Sequence, residues 1–577
     1  MTAALHGLGV SRGLAIGRAY VLARDELAVT EYKVNAAGVE TEIDRFKVSL
    51  EAARDHLRQI QYQIPTNTPA DIRAFIDTHL LMLDDPALAQ VPIDIIRIRR
   101  CNAEWAVKLQ RDALVNVFEQ IEDPYLRGRS DDVSYVVNQI LRMLMRERGD
   151  APDLSTDGLK GAIVVADDLS PADTVMLQHQ GVSGFVTEFG GTTSHTAILA
   201  KSLGIPAVVG IHGARRLIAK DEMLVVDGRY GVVLAAPDET IIKFYQQRRH
   251  SEAAHAQSLD TLRGQPSISR DKKKVELFAN AELAEEILSI RRVGAEGIGL
   301  YRTELLFLNR EKPPSEEEQF VAYREVVEAL NGLPVTIRTL DVGADKSTPW
   351  NPAGTLNPAL GLRGIRWCLR EPDVFRAQLR AILRASHYGQ VRMMLPMVCA
   401  VSEVKQTRLL IDEARAELER EGHPLSPHVP LGGMIEVPAA ALIAEQLAAH
   451  LDFLSIGTND LIQYTVAADR MDDAVNYLYD PLHPAVLRLI SMAIHAGQRA
   501  GIPVAMCGEM AGDSRFTRLL LGMGLREFSM HPALLLEIKR LITISDIDDL
   551  ISRVKPVLTF ANTSAVLKLV EDLNREN

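Results

Sequence analysis

The sequence predicts a multidomain α/β protein: an N-terminal α/β domain carrying an inserted helical bundle, a linker helix, and a C-terminal (β/α)8 barrel. Three features point there. After residue 275, apolar strand-like runs alternate with amphipathic helices about eight times over roughly 300 residues, the rhythm of a barrel. Short β-branched runs recur between residues 162 and 235. Between residues 36 and 147 they give way to long helical patterns.

A chain of 577 residues accommodates about two to four domains. Its 47% hydrophobic and 24% charged residues are those of soluble globular domains. The formal net charge of −12 argues against nucleic acid as a main partner and suits a basic protein partner or none. Cys101, Cys368, Cys399 and Cys507 show no CxxC spacing, which predicts a reduced, cytoplasmic protein. The start, Met1-Thr2-Ala3-Ala4-Leu5-His6, has no cationic leader pattern. No apolar run approaches the roughly 20 residues that span a bilayer, so no membrane insertion is expected.

In chain order, the Gly-rich residues 6–22 end in β-formers and predict one or two strands that pair elsewhere. Ile43, Phe46, Leu50, Ala53, Leu57, Ile60 and Ile64 keep a/d spacing up to Pro65, the pattern of a packed helical hairpin. Further helices are expected over 68–84, 87–121 and 131–148. Strands follow at 162–166, 184–187, 207–210, 223–227 and 231–235. The polar stretch 238–263 reads as a helix without a clean apolar stripe, closed by Gly264-Gln265-Pro266. Barrel strands are expected to begin near Val275, Gly297, Val335, Val391, Leu431, Phe453, Pro503 and Glu527. The expected domains are thus 1–25 with 147–237, 26–146 inserted, a linker at 238–266, and the barrel at 267–577.

The α/β part is organised around Gly190-Gly191-Thr192-Thr193-Ser194-His195-Thr196. A buried strand precedes it and an apolar helical pattern follows, placing His195 at a strand-to-helix turn. Orphan backbone N–H groups and the positive end of the helix dipole favour an anion there. An imidazole at that place can accept a phosphoryl group whose oxygens the turn then holds. Thr174 is a candidate partner to fix the imidazole tautomer.

In the barrel, function collects where strands end. Arg302 and Arg338 supply guanidiniums, and Arg363 and Arg366 can add more. Glu436 and Asp460 supply carboxylates, Asn459 an amide, Arg470 a further cation and Cys507 a thiol. Two carboxylates with open sites suit Mg²⁺, which takes its remaining ligands from substrate oxygens and water. Several arginines suit a bidentate grip on carboxylate and phosphate. Together they can stabilise an enolate or a transferring phosphoryl group.

These motifs resemble Enzyme I of the bacterial phosphotransferase system, the phosphoenolpyruvate-protein phosphotransferases, nearly end to end. The likeness rests on the His195 stretch, Gly-Leu-Tyr-Arg302-Thr-Glu, Ile-Arg338-Thr-Leu-Asp, Glu436-Val-Pro-Ala-Ala, Ser455-Ile-Gly-Thr-Asn-Asp-Leu-Ile-Gln-Tyr-Thr and Cys507-Gly-Glu-Met-Ala-Gly. It implies that His195 takes the phosphoryl group of phosphoenolpyruvate as an Nε2 phosphohistidine and passes it to the carrier protein HPr. It further implies that Arg302, Arg338, Asn459, Asp460 and Arg470 bind phosphoenolpyruvate. Glu436 and Asp460 match the family's Mg²⁺ ligands and Cys507 its proton donor to the enolate carbon. A homodimer through the barrel domain and a role in sugar uptake are also implied.

Two departures stand out. Thr192 occupies the position of an arginine usual in the family, and the helix over 68–84, matching the carrier-docking region, is only mildly acidic. Pyruvate-phosphate dikinase and phosphoenolpyruvate synthase share the motifs but need a nucleotide-binding domain, for which no stretch here is expected. The alternative within the family is a regulatory, nitrogen-type relay acting on an HPr-like carrier.

Overall fold

The structure is a computed structural model that describes residues 2–11, 13–22, 29–63, 70–119, 124–146, 159–169, 174, 177, 180–191, 195–308, 310, 312–342, 359–470, 472 and 475–575. Thr192, Ser194 and Ile64 lie outside the described residues, as do 147–158. The chain divides into two compact units, Met1–Ala254 and His255–Asn577.

In the first unit the strands are β1 (Ala3–His6), β2 (Leu8–Ser11), β3 (Leu14–Val21), β4 (Ile163–Ala166), β5 (Gly184–Thr187), β6 (Ala207–Val209), β7 (Met223–Asp227) and β8 (Val232–Ala235). They form one sheet in the order β1-β8-β7-β3-β4-β5-β6-β2. The pairs β3–β4, β4–β5 and β5–β6 are parallel, and the remainder are antiparallel. Successive side chains of a strand face opposite ways. Ile163, Val165 and Val186 accordingly enter one core with Val226 and Val233, while Val164, Ala166 and Phe185 enter another with Leu169 and Ile205.

The Gly-rich residues 6–22 hold two strands, β2 and β3, as expected, and β1 stands just before them. β1 and β2 sit at opposite ends of the sheet order, yet only Gly7 separates them. The sheet therefore curls until its two margins meet along residues 3–11. Contact there is close enough that a Cβ on Gly228 would lie 1.9 Å from the Ser11 carbonyl oxygen.

Between β3 and β4 run the helices Val39–Gln63, Ala70–Asp84, Pro86–Ala89, Val91–Arg99, Ala103–Glu119 and Pro124–Arg146. Ile43, Phe46, Leu50, Ala53 and Leu57 are buried as their spacing predicts. The helix expected over 87–121 is instead three helices. Pro92 has no N–H to continue the ladder from the Pro86–Ala89 turn. Arg100 then adopts a left-handed conformation (φ 48°) and Cys101 bridges to Lys33. Arg45 anchors the bundle, reaching Glu42 at 2.6 Å and Glu104 at 2.7 Å. The polar stretch after β8 is the helix Glu239–Asp260.

In the second unit β9 (Glu276–Ala281), β10 (Ile298–Tyr301), β11 (Val335–Arg338), β12 (Val391–Leu395), β13 (Leu431–Ile435), β14 (Phe453–Ile456), β15 (Val504–Met506) and β16 (Glu527–Met530) close into a barrel. Every pair around it is parallel, so all eight C-terminal ends share one rim. The strands begin within one residue of the expected positions. Leu300, Met394, Met434, Phe453 and Cys507 form an apolar cluster of their own, apart from the large core under the outer helices.

Candidate active site

Because the barrel strands are parallel, residues just past their ends gather whatever their sequence separation. Arg302 follows β10, Arg338 ends β11, Glu436 follows β13, Thr458-Asn459-Asp460 follow β14 and Cys507 follows β15. Arg338 and Asp460 are joined through Asp341 and Arg363.

Two buried carboxylates with no role assigned from sequence hold the arginines. Glu304 Oε1 accepts from Arg338 Nη2 at 2.9 Å and from the Asp341 N–H at 3.1 Å. Asp341 takes Arg363 in a fork, Nη2 to Oδ2 at 2.9 Å and Nε to Oδ1 at 3.3 Å, and lies 3.4 Å from Arg338 Nη1. Both stand within the quoted motifs, as Arg302-Thr-Glu304 and Arg338-Thr-Leu-Asp341, and that proximity was the available signal. Burial opposes the charge of Arg338, but Glu304 and Asp341 more than offset it and raise its pKa above the ordinary value. Arg363 is held charged in the same way by Asp341 and Asp460.

Arg363 also reaches Asp460 at 3.4 Å and donates to the Tyr464 hydroxyl at 3.1 Å. Arg470 lies 3.8 Å from Asp460, and its N–H donates to Gln463. Asn459 exchanges hydrogen bonds with Glu509, donating at 3.2 Å and accepting from its N–H at 2.9 Å. Arg302 is half-exposed and pairs with Glu282.

Glu436 is buried, and its Oε1 accepts the Met397 N–H at 2.5 Å. Met397 is held at φ 57°, a conformation that costs a non-glycine residue about 1–3 kcal/mol. Burial raises the Glu436 pKa, Asp460 and Asp341 push it further, and Arg338 and Arg363 oppose. A buried carboxylate whose charge is opposed by burial and by neighbouring carboxylates suits a cation. Room for one is kept by Gly457: a Cβ there would lie 3.0 Å from Glu436 Oε2 and 3.1 Å from Met434 Sδ. Among the described residues no group of three or more His, Cys, Asp or Glu is arranged to enclose an ion. An ion at Glu436 and Asp460 would share them with substrate oxygens and water, as Mg²⁺ does.

Cys507 lies at the top of the barrel interior. Its Sγ is 3.3 Å from the Ser455 hydroxyl, which donates to it, and its carbonyl accepts from Asn280 at 3.1 Å. Burial raises the thiol pKa against the opposing Ser455 hydrogen bond and the Arg338 charge. The thiol therefore stays protonated at neutral pH.

Three polar atoms at this rim are buried without a partner among the described residues: Arg338 Nε, Thr339 Oγ1 and Thr458 Oγ1. Buried donors left unpaired cost about 1–3 kcal/mol each, so their gathering at one rim points to a ligand that carries acceptors.

In the other unit His195 opens the helix His195–Leu203 after β5, at the expected turn, and Gly190 has a φ of 105°. Thr193 and Ser194 are outside the described residues. Thr196 Oγ1 stands 2.9 Å from Asp168 Oδ1 and 2.7 Å from the Leu169 carbonyl, which fixes the helix start against the loop after β4. Thr174 is buried. No helix is long and apolar enough to cross a membrane among the described residues.

In both of its units the chain matches the phosphoenolpyruvate-utilising enzymes. Models of that class match three successive stretches: its N-terminal region at residues 6–129, its mobile domain at 158–231 and its phosphoenolpyruvate-binding domain at 256–547. The phosphoenolpyruvate-protein phosphotransferase of Cupriavidus necator is 48% identical over 552 residues, covering 94% of either chain. That of Listeria monocytogenes is 40% identical over 577 residues and covers 100% of each. A solution structure of Enzyme I (nEIt) is 31% identical over 43% of this chain and 99% of that one, with a TM-score of 0.38. The chain belongs to the phosphoenolpyruvate-protein phosphotransferases, the Enzyme I family, on the strength of the full-length relatives.

Proposed function

We propose that the chain performs the first phosphoryl transfer of a phosphotransferase system, from phosphoenolpyruvate to His195 and on to a histidine of HPr, releasing pyruvate. The observation that carries this is the buried Arg338 guanidinium, its two Nη atoms engaged by Glu304 and Asp341 and its Nε without an acceptor among the described residues. Such a group is preset to grip an oxyanion without reorganising at the moment of reaction.

Arg302, Arg338, Asn459, Asp460 and Arg470 would hold phosphoenolpyruvate, with Arg363 as an additional contact. Glu436 and Asp460 would hold Mg²⁺, which supplies charge neutralisation for the phosphate and enolate oxygens. His195 attacks phosphorus; the P–N bond forms as the bond to the enol oxygen breaks. The enolate then takes the Cys507 proton at carbon, giving pyruvate and a thiolate that is reprotonated from solvent. Thr174 would orient the imidazole.

Because acceptor and donor sites belong to different units, transfer requires that the units be brought together and then part so that a carrier can reach the phosphohistidine. The segment 238–266 is the proposed linker between 147–237 and 267–577, and the helical block 26–146 the proposed carrier-docking region. We further infer a cytoplasmic homodimer formed through the barrel domain, serving sugar uptake.

Labelling with ³²P-phosphoenolpyruvate and Mg²⁺, with and without HPr, tests the reading. Wild type should take up acid-labile label and pass it to HPr, and His195→Gln should take up none. Label that survives the substitution would move the acceptor elsewhere, to His79 or His483.

A further inference from the structure

A second layer of buried polar groups lies behind the rim arginines. The helix Pro372–Ala385 carries Gln378, which is 1% exposed. Its Oε1 accepts the Leu340 N–H at 2.9 Å. Its Nε2 donates to Tyr323 Oη at 3.1 Å and to Thr303 Oγ1 at 3.3 Å. The amide orientation is fixed by chemistry, because only an oxygen can face the Leu340 N–H.

The chain continues in both directions without a broken link. Tyr323 donates to Gln319 Oε1 at 3.1 Å, and Gln319 Nε2 donates to the Pro314 carbonyl at 3.0 Å. Thr303 donates to the Arg338 carbonyl at 3.0 Å. Gln319, Tyr323 and Thr303 are each fully buried.

The outcome is that the turn after β11 is held by side chains from other elements. Thr303 fixes the Arg338 carbonyl, Gln378 the Leu340 N–H, Cys368 Sγ the Leu340 carbonyl at 3.5 Å, and Glu304 the Asp341 N–H. That turn starts with Arg338 and ends with Asp341, the carboxylate that forks Arg363. A buried network with every member satisfied holds one arrangement and tolerates little deviation.

We propose that Gln378, backed by Tyr323, is a positioning residue for the phosphoryl-transfer site: it sets the Arg338–Asp341 turn and through it the reach of Arg338 and Arg363. This rests on the proposal that those arginines grip phosphoenolpyruvate. A displacement of about 1 Å at a reacting site costs about 100-fold in rate.

The test is steady-state kinetics with phosphoenolpyruvate on the full chain, with Gln378→Met, Tyr323→Phe and Arg338→Ala compared on amounts of folded protein fixed by near-ultraviolet circular dichroism. Gln378→Met keeps the length and volume but makes none of the three bonds. It should raise KM for phosphoenolpyruvate at least threefold and lower kcat/KM by 10- to 100-fold. Tyr323→Phe removes two hydrogen bonds, only one of them to Gln378, keeps the ring, and should give a smaller loss in the same direction, which supplies the result if Gln378→Met does not fold. A merely structural role would reduce Vmax in proportion to folded protein and leave KM unchanged; that result overturns the proposal. Should Arg338→Ala lose activity while both other variants keep wild-type KM and kcat, Gln378 does not position the site. Should Arg338→Ala itself be unimpaired, the assignment of the arginines falls and this proposal with it.

Discussion

Replacing Arg338 with alanine probes stability and chemistry at once. The side chain is 11% exposed and faces Glu304 and Asp341, themselves 4% and 3% exposed at their side chains. Its removal takes a cation away from two buried carboxylates, while Arg363 stays paired with Asp341. Breaking a buried pair in this way costs about 3–5 kcal/mol, although part is recovered as a carboxyl takes up a proton. The barrel unit should melt several degrees lower and remain folded, since its apolar core is untouched. Catalysis should fall further, because the lost group is one of the preset donors for developing negative charge. Removing one such donor costs about 10²–10³ in rate, or roughly 2.7–4 kcal/mol. Arg338→Lys keeps the charge without the planar fork and should fall between. Pyruvate release followed by a lactate dehydrogenase couple, at saturating and limiting phosphoenolpyruvate, gives kcat and kcat/KM. A folded Arg338→Ala protein with kcat/KM within threefold of wild type would refute the reasoning.

Further expectations concern the thiol and the metal. Cys507→Ser replaces the proposed acid with a far weaker one and should slow pyruvate formation severely while phosphohistidine still forms; unchanged release with unchanged stereochemistry at the enolate carbon would count against it. Because burial raises the Cys507 pKa, the protonated, active form persists as pH rises, and any alkaline loss of turnover tied to this thiol should lie above the value of about 8.5 typical of a free one. A loss centred below that value in wild type, absent in Cys507→Ser, would contradict the assignment. Gly457→Ala puts a methyl group 3.0 Å from Glu436 Oε2. It should weaken Mg²⁺ activation by about 10–100-fold, as changes beside metal ligands do, and an unaltered Mg²⁺ titration would show that the ion is held elsewhere.

The barrel was legible because parallel strands buried on both faces must be short apolar runs, and eight of them stand out between amphipathic helices. Residues at strand ends could be named because parallel geometry brings every such end to one rim. What escaped was whatever depends on which neighbour a residue meets. Glu304 and Asp341 look in sequence like any carboxylate near an arginine; their burial comes from packing between β10, β11 and the helix Pro372–Ala385. Gln378 stands in helical register with the buried Phe375 and Ile382, so its face could be read from the spacing, but the groups its amide meets could not. The break at Arg100 likewise follows from a tertiary bridge to Lys33, for which no local turn signal exists. Residues 6–22 were readable as strand, but periodicity carries no information about partners, so their placement at both margins of one sheet was not.

That placement bears on how the protein is made. Ala3 pairs with Ala235 and Leu8 with Val209, so the first strands to emerge find their neighbours only after more than 200 further residues. At a synthesis rate of about 5–20 residues per second, the wait is roughly 10–45 s. Meanwhile the last helix of the helical block, Pro124–Arg146, has emerged well before β7 and β8, and packed helices form fast once all are present. Through that interval β1 and β2 stay unpaired and the sheet cannot close. The N-terminal strands are therefore the last pieces of their unit to be set, and the interval before closure is when a nascent chain most needs protection from pairing with another.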